Sequence, residues 1–408
     1  VSKNRLIIIK GTKNNMKLVR WFLVFLCCFS AAVFADGAKK QFKFLSVADI
    51  HFDPFSSCNT SSKSCSIVDQ LNKTPSTGWL AVFEEYRDQA GEAGYHDTNF
   101  PTFKAILKQM KSVSHEEHPI FVIILGDFLR HDYRQTYMKY SHTKTQKSYQ
   151  SFVKKTFEFI AAEFAKTFPD IDIYPVIGNN DSYLSDYYNG LENQQLYRDI
   201  AVMWAPLIKS ADNRQNFLKD FQKLGFYKIT FTNAPSRELI ILNSILFSVR
   251  AYGKNLQGLA ITQLDWLNQQ LLSAKKQHQF IMLAYHIPVG VDIFATIQNK
   301  LSTIIEFWKK KYSNRFGEEL TKYKVVTAIL SGHIHIDTLQ AITLKTFAGV
   351  PVNITPAVSP VFGNNPGFKI ITSNVDTFAI IDSNTYFYSL GQSKHHEKSG
   401  EIQPHICA

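Results

Sequence analysis

Cysteine is scarce in this chain, with five residues in 408 and no Cys-x-x-Cys pair, which excludes a zinc ribbon and a thioredoxin-type redox centre. No apolar run reaches the ~20 residues needed to cross a bilayer; the run at 21–35 is 15 residues long. Internal repeats and low-complexity linkers are absent, so one catalytic domain is expected rather than an array or a pair. Acidic residues are missing from positions 1–35, where six of the 45 Lys and Arg gather; the other 39 face 34 acids, and the formal +11 falls to +5. That remainder describes a solvated basic surface better than a polyanion-binding face. No aromatic-basic motif of the RNA-binding kinds accompanies it, so no nucleic-acid-binding module is recognised.

What is present begins with "MKLVRWFLVFLCCFSAAVFADG" from Met16. A basic start, a short apolar run and small residues near its end read as a signal peptide over 16–35, lost after Ala35. The alternative, a membrane anchor, suits the run's length less well, and no stable anchor is expected after cleavage. Residues 1–15, charged and without an initiating Met, are expected to be an upstream-start artefact. Cys58 and Cys65 flank the polar loop "NTSSKS" and are expected to form a short disulfide in an oxidising compartment, leaving Cys407 without an evident partner. A secreted protein is therefore expected, extracellular or periplasmic, or lumenal or lysosomal in a eukaryotic host. Sequons stand at Asn59, Asn72, Asn180 and Asn353.

With 45% hydrophobic residues, the remainder can bury a full core, and residues 41–392 are expected to form the catalytic domain before a polar tail at 393–408. Nearly continuous Val, Ile, Leu and Phe in "FKFLSVADIHF", "IFVIILGDF", "IDIYPVIGNN", "ELIILNSILF", "QFIMLAYHIP" and "KVVTAILSGHIH" reads as strands covered on both faces. Amphipathic segments near 79–93, 102–112, 148–167, 194–208, 262–275 and 293–312 read as helices packed on them. The alternating runs "TFAGVPVNITPAV" and "FAIIDSNTYFYSL" suggest an antiparallel closing sheet around the loop "SPVFGNNPGF".

Five of the apolar strands finish in groups that bind divalent metals: Asp49-Ile50-His51, Gly126-Asp127, Gly178-Asn179, His286, and Gly332-His333-Ile334-His335. Residues two apart at a strand's close can face one side, as Asp49 with His51 and His333 with His335. Singly, a strand histidine is more often a core or surface residue and a Gly-Asp pair a plain turn. Five such endings together argue for metal, because open α/β sheets put their sites at strand carboxyl ends. Neutral imidazole, carboxylate and amide oxygen suit zinc or another borderline transition ion, manganese or iron among them, better than calcium or magnesium.

This ordered set resembles the calcineurin-like metallophosphoesterases over about residues 42–337. "GDFLRHDYRQT", "TPAVSPVFGNNPGF" and "QLDWLNQQL" before "YHIPVG" narrow the resemblance to the acid sphingomyelinase-like phosphodiesterase branch. It implies an α/β fold, a β-sandwich of mixed sheets flanked by helices with metals at strand carboxyl ends. It also implies that Asp49, His51 and His335 hold one ion, Asn179, His286 and His333 the other, and that Asp127 bridges them. Adjacency to Gly178 favours Asn179 over Asn180 as the ligand. Hydrolysis would proceed by in-line attack of a metal-bridging hydroxide on phosphorus. His131 would protonate the leaving oxygen, with Asp132 as its orienting partner.

The chain departs from the family at Asn180, where relatives keep a catalytic histidine. An amide can hydrogen-bond a phosphoryl oxygen but supplies no acid. Together with Arg130-His131-Asp132, the Gly-Asn-Asn-Asp run is similar to the endopolyphosphatase group. The expected substrates are therefore phosphodiesters or phosphoanhydrides, polyphosphate or nucleotide-like before sphingomyelin or another phospholipid. A catalytically weakened metal-binding protein is the competing class.

Overall fold

The computed structural model describes residues 40–390 and 405–407, apart from 92, 232–236 and 345–346. The expected leader at 1–35 and the tail at 393–404 lie outside the described residues. In chain order the strands are β1 (Gln41–Val47), β2 (Phe121–Ile124), β3 (Asp172–Pro175), β4 (Tyr227–Thr230), β5 (Arg237–Ile241), β6 (Phe280–Ala284), β7 (Val326–Ser331), β8 (Thr338–Leu344), β9 (Phe347–Ile354), β10 (Gly367–Asn374), β11 (Ile380–Phe387) and β12 (His405–Cys407). They form two mixed sheets, ordered β12-β11-β10-β1-β2-β3 and β4-β5-β6-β7-β9-β8.

Each sheet has a parallel block, β1-β2-β3 along one edge of the first and β5-β6-β7-β9 in the middle of the second. The antiparallel strands lie outside these blocks. Parallel strands need crossovers, and the helices Phe100–Glu117, Gln146–Thr167, Leu256–Lys276 and Lys310–Tyr323 supply them. Asn99 starts the first by accepting the Thr102 N–H, with Pro101 in its opening turn. The sheets pack face to face, so Tyr227 of the second donates its hydroxyl to the Pro175 carbonyl of the first at 2.9 Å. Phenylalanine, 32 residues of it, fills much of the core. Phe159 lies within 5.1–6.3 Å, ring to ring, of Phe52, Trp79, Phe83 and Phe103.

The α/β sandwich of mixed sheets is the architecture the sequence implied, and each of the six apolar runs carries a strand. Three expectations need correction. The segment read as one helix over 293–312 is two, Ile293–Gln298 and Lys310–Tyr323, because Lys300 and Leu301 both turn to positive φ between them. The two alternating runs do not pair with each other. β9 extends the second sheet beside β7, while β11 lies in the first beside β10, a strand that begins at the end of the expected loop and that the sequence did not reveal. The tail expected to be merely polar carries a strand, since His405–Cys407 pairs with the outer edge of β11. The helices Ser66–Lys73, Tyr133–Tyr140 and Ala211–Leu224 were not anticipated.

Cys58 and Cys65 are joined as a disulfide. Of the sequons, Asn180 and Asn353 are buried, and Asn353 accepts from Lys369 Nζ at 3.1 Å, so neither offers its amide to a glycan. Replacing Phe159, buried at the centre of its aromatic cluster, by Ala should cost about 3–5 kcal/mol. Urea denaturation measures this, and a loss below about 1 kcal/mol would mean that the cluster relaxes around the void.

Candidate metal centre

The parallel strands of both sheets direct their carboxyl ends to one place. The loop after β1 is laid against the loop after β2: Asp49 N–H donates to Gly126 O at 3.0 Å and His51 N–H to Asp127 O at 2.9 Å. The second sheet is tied in by His286, whose Nδ1 lies 2.7 Å from Leu125 O, and by His333, whose N–H donates to Asp49 Oδ2 at 2.9 Å. Asp49, His51, Asp127, His333 and His335 all adopt positive φ. Such backbone is costly for non-glycine residues and persists where the surroundings over-determine it, characteristically at functional sites. A Cβ on Gly178 would collide with Asp127 N and Oδ1, so only glycine lets the two turns approach this closely.

Asp181 holds these turns together. Its Oδ2 accepts from Asp127 N–H at 3.0 Å and Gly178 N–H at 2.8 Å, and its Oδ1 from Phe128 N–H at 2.9 Å and Leu129 N–H at 3.2 Å. Burial and the Asp127 carboxylate push its pKa up, to about 8, while the backbone donors pull the other way.

All seven expected ligands meet here. Asp127 Oδ2 lies 3.5 Å from His51 Nε2 and 3.2 Å from His286 Nε2, between the two expected groups. Asp49 Oδ1 stands 3.8 Å from His51 Nε2 and 3.5 Å from His335 Nε2. Asp127, His286 and His333 offer ligand atoms within 4.8 Å of one another, as do Asp49, His51 and Asp127. Asn179 points Oδ1 at His286 Nε2, 3.0 Å away, while its amide nitrogen donates to Asp186 at 2.7 Å. Asn180 instead donates to Asp127 through its backbone N–H, 2.8 Å from Oδ1, and through Nδ2, 2.9 Å from Oδ2.

The donor set fits cations. A carbonyl can only accept, so the contacts to Leu129 O and Leu125 O put protons on Nδ1 of His51 and His286. His51 Nε2 is then left as a lone pair 3.1 Å from His335 Nε2. Burial holds His51 neutral, with its pKa lowered to about 4, and does the same to His333, at about 3, and to His335, well below the usual range. Burial opposes charge on His286 too, but the Asp127 carboxylate outweighs it and lifts that pKa to about 9. Asp49 is pushed up by burial to about 7. Three neutral imidazoles and the Asp127 carboxylate, its pKa kept low chiefly by His286 against the cost of burial, form a set of lone pairs aimed inward.

His131 stands at the rim, its ring stacked on His51 at 4.1 Å. Its orienting partner is not Asp132, which is exposed at the start of Tyr133–Tyr140, but Asp97, 34 positions upstream. Asp97 Oδ1 lies 2.9 Å from His131 Nδ1, and Oδ2 accepts the His131 N–H at 3.0 Å. Ser359 donates to the same carboxylate at 3.1 Å, and Arg130 pairs with it at 3.4 Å. Burial works against a charged His131, but its bond to Asp97 prevails and raises its pKa. His131 also lies within ligand reach of His51 and His335.

A family model described as calcineurin-like phosphoesterase matches residues 42–337. The chain belongs to that family. The fold and the activity class, hydrolysis of phosphoesters, are those of the family. Over 93% of its length the chain is 24% identical to sphingomyelinase phosphodiesterase C of Dictyostelium discoideum, covering 80% of that protein. It is 24% identical to acid sphingomyelinase-like phosphodiesterase 3b of Homo sapiens, over 93% of this chain and 76% of that one. The cyclic GMP-AMP phosphodiesterase SMPDL3A of Rattus norvegicus matches 55% of this chain at 26% identity, covering half of that protein. A dimetal phosphatase from Danio rerio superposes with a TM-score of 0.44 at 14% identity, over 85% of this chain and 99% of that one.

Asp97, Asp181 and Asp186 were missed in the sequence. Asp181 follows the Gly-Asn-Asn run directly; Asp97 sits in a loop with no motif of its own. Asp181→Asn should remove both stability and metal. Each Asp181 oxygen accepts two N–H groups, so either amide orientation sets an NH2 against two donors, at about 1–3 kcal/mol for each bond lost. Thermal denaturation with and without added zinc tests this; wild-type melting in both would remove Asp181 from its structural role. Because His286 keeps a proton up to about pH 9 without a cation, metal uptake at neutral pH should release protons and tighten as pH rises. Titration calorimetry in buffers of different ionisation enthalpy reads that release, and buffer-independent heats would contradict it.

Proposed function

We propose that this chain is a dinuclear-metal phosphodiesterase whose catalytic domain spans 41–392. In this reading Asp49, His51 and His335 hold one ion, Asn179, His286 and His333 the second, and Asp127 lies between. The close approach of the His51 and His335 Nε2 atoms, 3.1 Å apart with the His51 Nδ1 proton committed elsewhere, carries the reading. The donor chemistry favours zinc, with manganese and iron as alternatives. When bound, such an ion pair polarises the phosphoryl oxygens and activates the attacking water.

The chain's own residues supply orientation and the proton. Asp97 accepts from His131 Nδ1 and so turns Nε2 toward the ion cluster, from where it can protonate a departing oxygen. Asn180 is not a substitute acid: an amide gives up no proton, its backbone N–H and one Nδ2–H are held by Asp127, and its role in this reading is to fix that carboxylate. With one acid rather than two, leaving groups that need little protonation are favoured. That supports phosphoanhydrides, polyphosphate and nucleoside triphosphates included, over sphingomyelin; a nucleotide diester also expels an alkoxide and would draw its proton from His131. Among the relatives, the printed name cyclic GMP-AMP phosphodiesterase is consistent with the nucleotide-like choice. Secretion completes the reading and rests on the leader pattern at 16–35 together with the Cys58–Cys65 disulfide.

Zinc- or manganese-loaded protein should hydrolyse bis-p-nitrophenyl phosphate and at least one of a cyclic dinucleotide, a nucleoside triphosphate or polyphosphate. Loaded protein inert on all of these and on sphingomyelin would leave only the metal-binding class. His131→Ala should lower turnover of alkyl diesters by about 10²–10⁴-fold while sparing nitrophenyl esters, the range for a lost general acid. As an acid, His131 acts while protonated, so its raised pKa keeps activity on poor leaving groups up to a higher pH. Asp97→Asn removes the cause of that shift and should move the alkaline limb to lower pH. A limb that stays in place would exclude the dyad.

A further inference from the structure

Between β6 and β7 the chain leaves the sheet and returns through a narrow neck. Asp292 N–H donates to Ile305 O at 2.8 Å and Phe307 N–H to Gly290 O at 2.9 Å, closing it. Asp292 also caps the short helix Ile293–Gln298 through Ala295 N–H and pairs with Arg250 at 3.3 Å. Beyond the neck five large apolar side chains face water: Ile293 at 63% exposure, Phe294 at 69%, Ile297 at 59%, and Leu301 and Ile304 each at 72%. Five such residues within twelve positions concentrate exposed apolar surface in one short excursion, as interaction sites do.

We propose that this excursion is an interfacial anchor that seats the protein on the surface of an anionic phospholipid bilayer. Two observations select that partner. The only ionisable side chain in 293–305 is Lys300, which is exposed, and no acid lies among these residues. A cationic apolar tip complements a negatively charged lipid surface, where each base contributes alongside the buried apolar area. The apolar side chains also project from a pinned neck rather than line a groove, a shape that a fluid bilayer can receive without a matching cavity. Among the described residues no helix is long and apolar enough to cross a membrane, so contact through this tip is peripheral. The neck lies beside the candidate metal centre, with the Phe307 ring 5.4 Å from that of His333. Seating the tip would bring the cluster close to the headgroup layer.

This inference goes beyond the proposed reaction and does not rest on it, because binding is read without turnover. The full chain would be floated with vesicles of phosphatidylcholine alone and of phosphatidylcholine with phosphatidylserine. The wild type should float with the mixed vesicles. The double variant Phe294→Ser/Leu301→Ser should reduce the bound fraction by about tenfold or more, and Lys300→Ala should weaken binding to the mixed vesicles only. Both variants should keep wild-type circular dichroism and turnover of a soluble diester. A wild type that floats with neither vesicle, or a double variant that floats as well as wild type, would overturn the anchor. So would light scattering that finds a wild-type dimer, a monomeric double variant and no flotation, which would assign the tip to self-association.

Discussion

One buried carboxylate accepting four backbone N–H groups sets the geometry on which the site depends. Asp181 satisfies the turn after β2 and the turn after β3 together, groups that would otherwise be buried without partners. Because those turns are locked, Asp127 and Asn179 leave their strands at fixed positions, and Gly178 lets Asp127 pass where any side chain would collide. The second sheet is then drawn in through His286 on Leu125 O and His333 N–H on Asp49. The positive φ of five candidate ligands is tolerated because each is tied into this mesh. Strain of that kind is accepted where position matters more than local stability.

The same mesh explains the electrostatics. Buried imidazoles resist charge, and three of them are held neutral, while Asp127 is kept charged by its neighbours at the expense of burial. A cluster that combines neutral nitrogens with a buried anion has uncompensated lone pairs, and cations are the simplest complement. His131 differs because it sits at the rim with Asp97 behind it, in a place where protonation is favoured. The expected ligands and the expected acid are thus separated by environment although all are histidine.

Much of this was legible in the sequence because motifs at strand ends are local. Asp49 with His51, Gly126-Asp127, Gly178-Asn179 and Gly332-His333-Ile334-His335 each declare themselves within four residues, and the apolar runs before them identify the strands. What stayed hidden depends on contacts made at a distance. Asp97 reaches His131 across 34 positions, and nothing in "YHDTNF" marks it. Asp132 was the nearer choice, but its side chain stands in solvent. β10 escaped notice because "GFKIITSN" follows a Gly- and Asn-rich stretch that reads as loop, and its strand character comes from pairing with β1 and β11. The helix expected over 293–312 failed for the opposite reason: its apolar spacing is real, but five of those side chains face water rather than a core.

The central claim is that these converging groups hold a pair of ions. Elemental analysis of protein purified without chelator and dialysed against trace zinc tests it most directly. The account predicts about two ions per chain in the wild type and a large loss in Asp127→Asn, whose amide cannot serve as the shared anionic ligand. Wild-type protein that turns over a phosphodiester while holding no more than trace metal would contradict it.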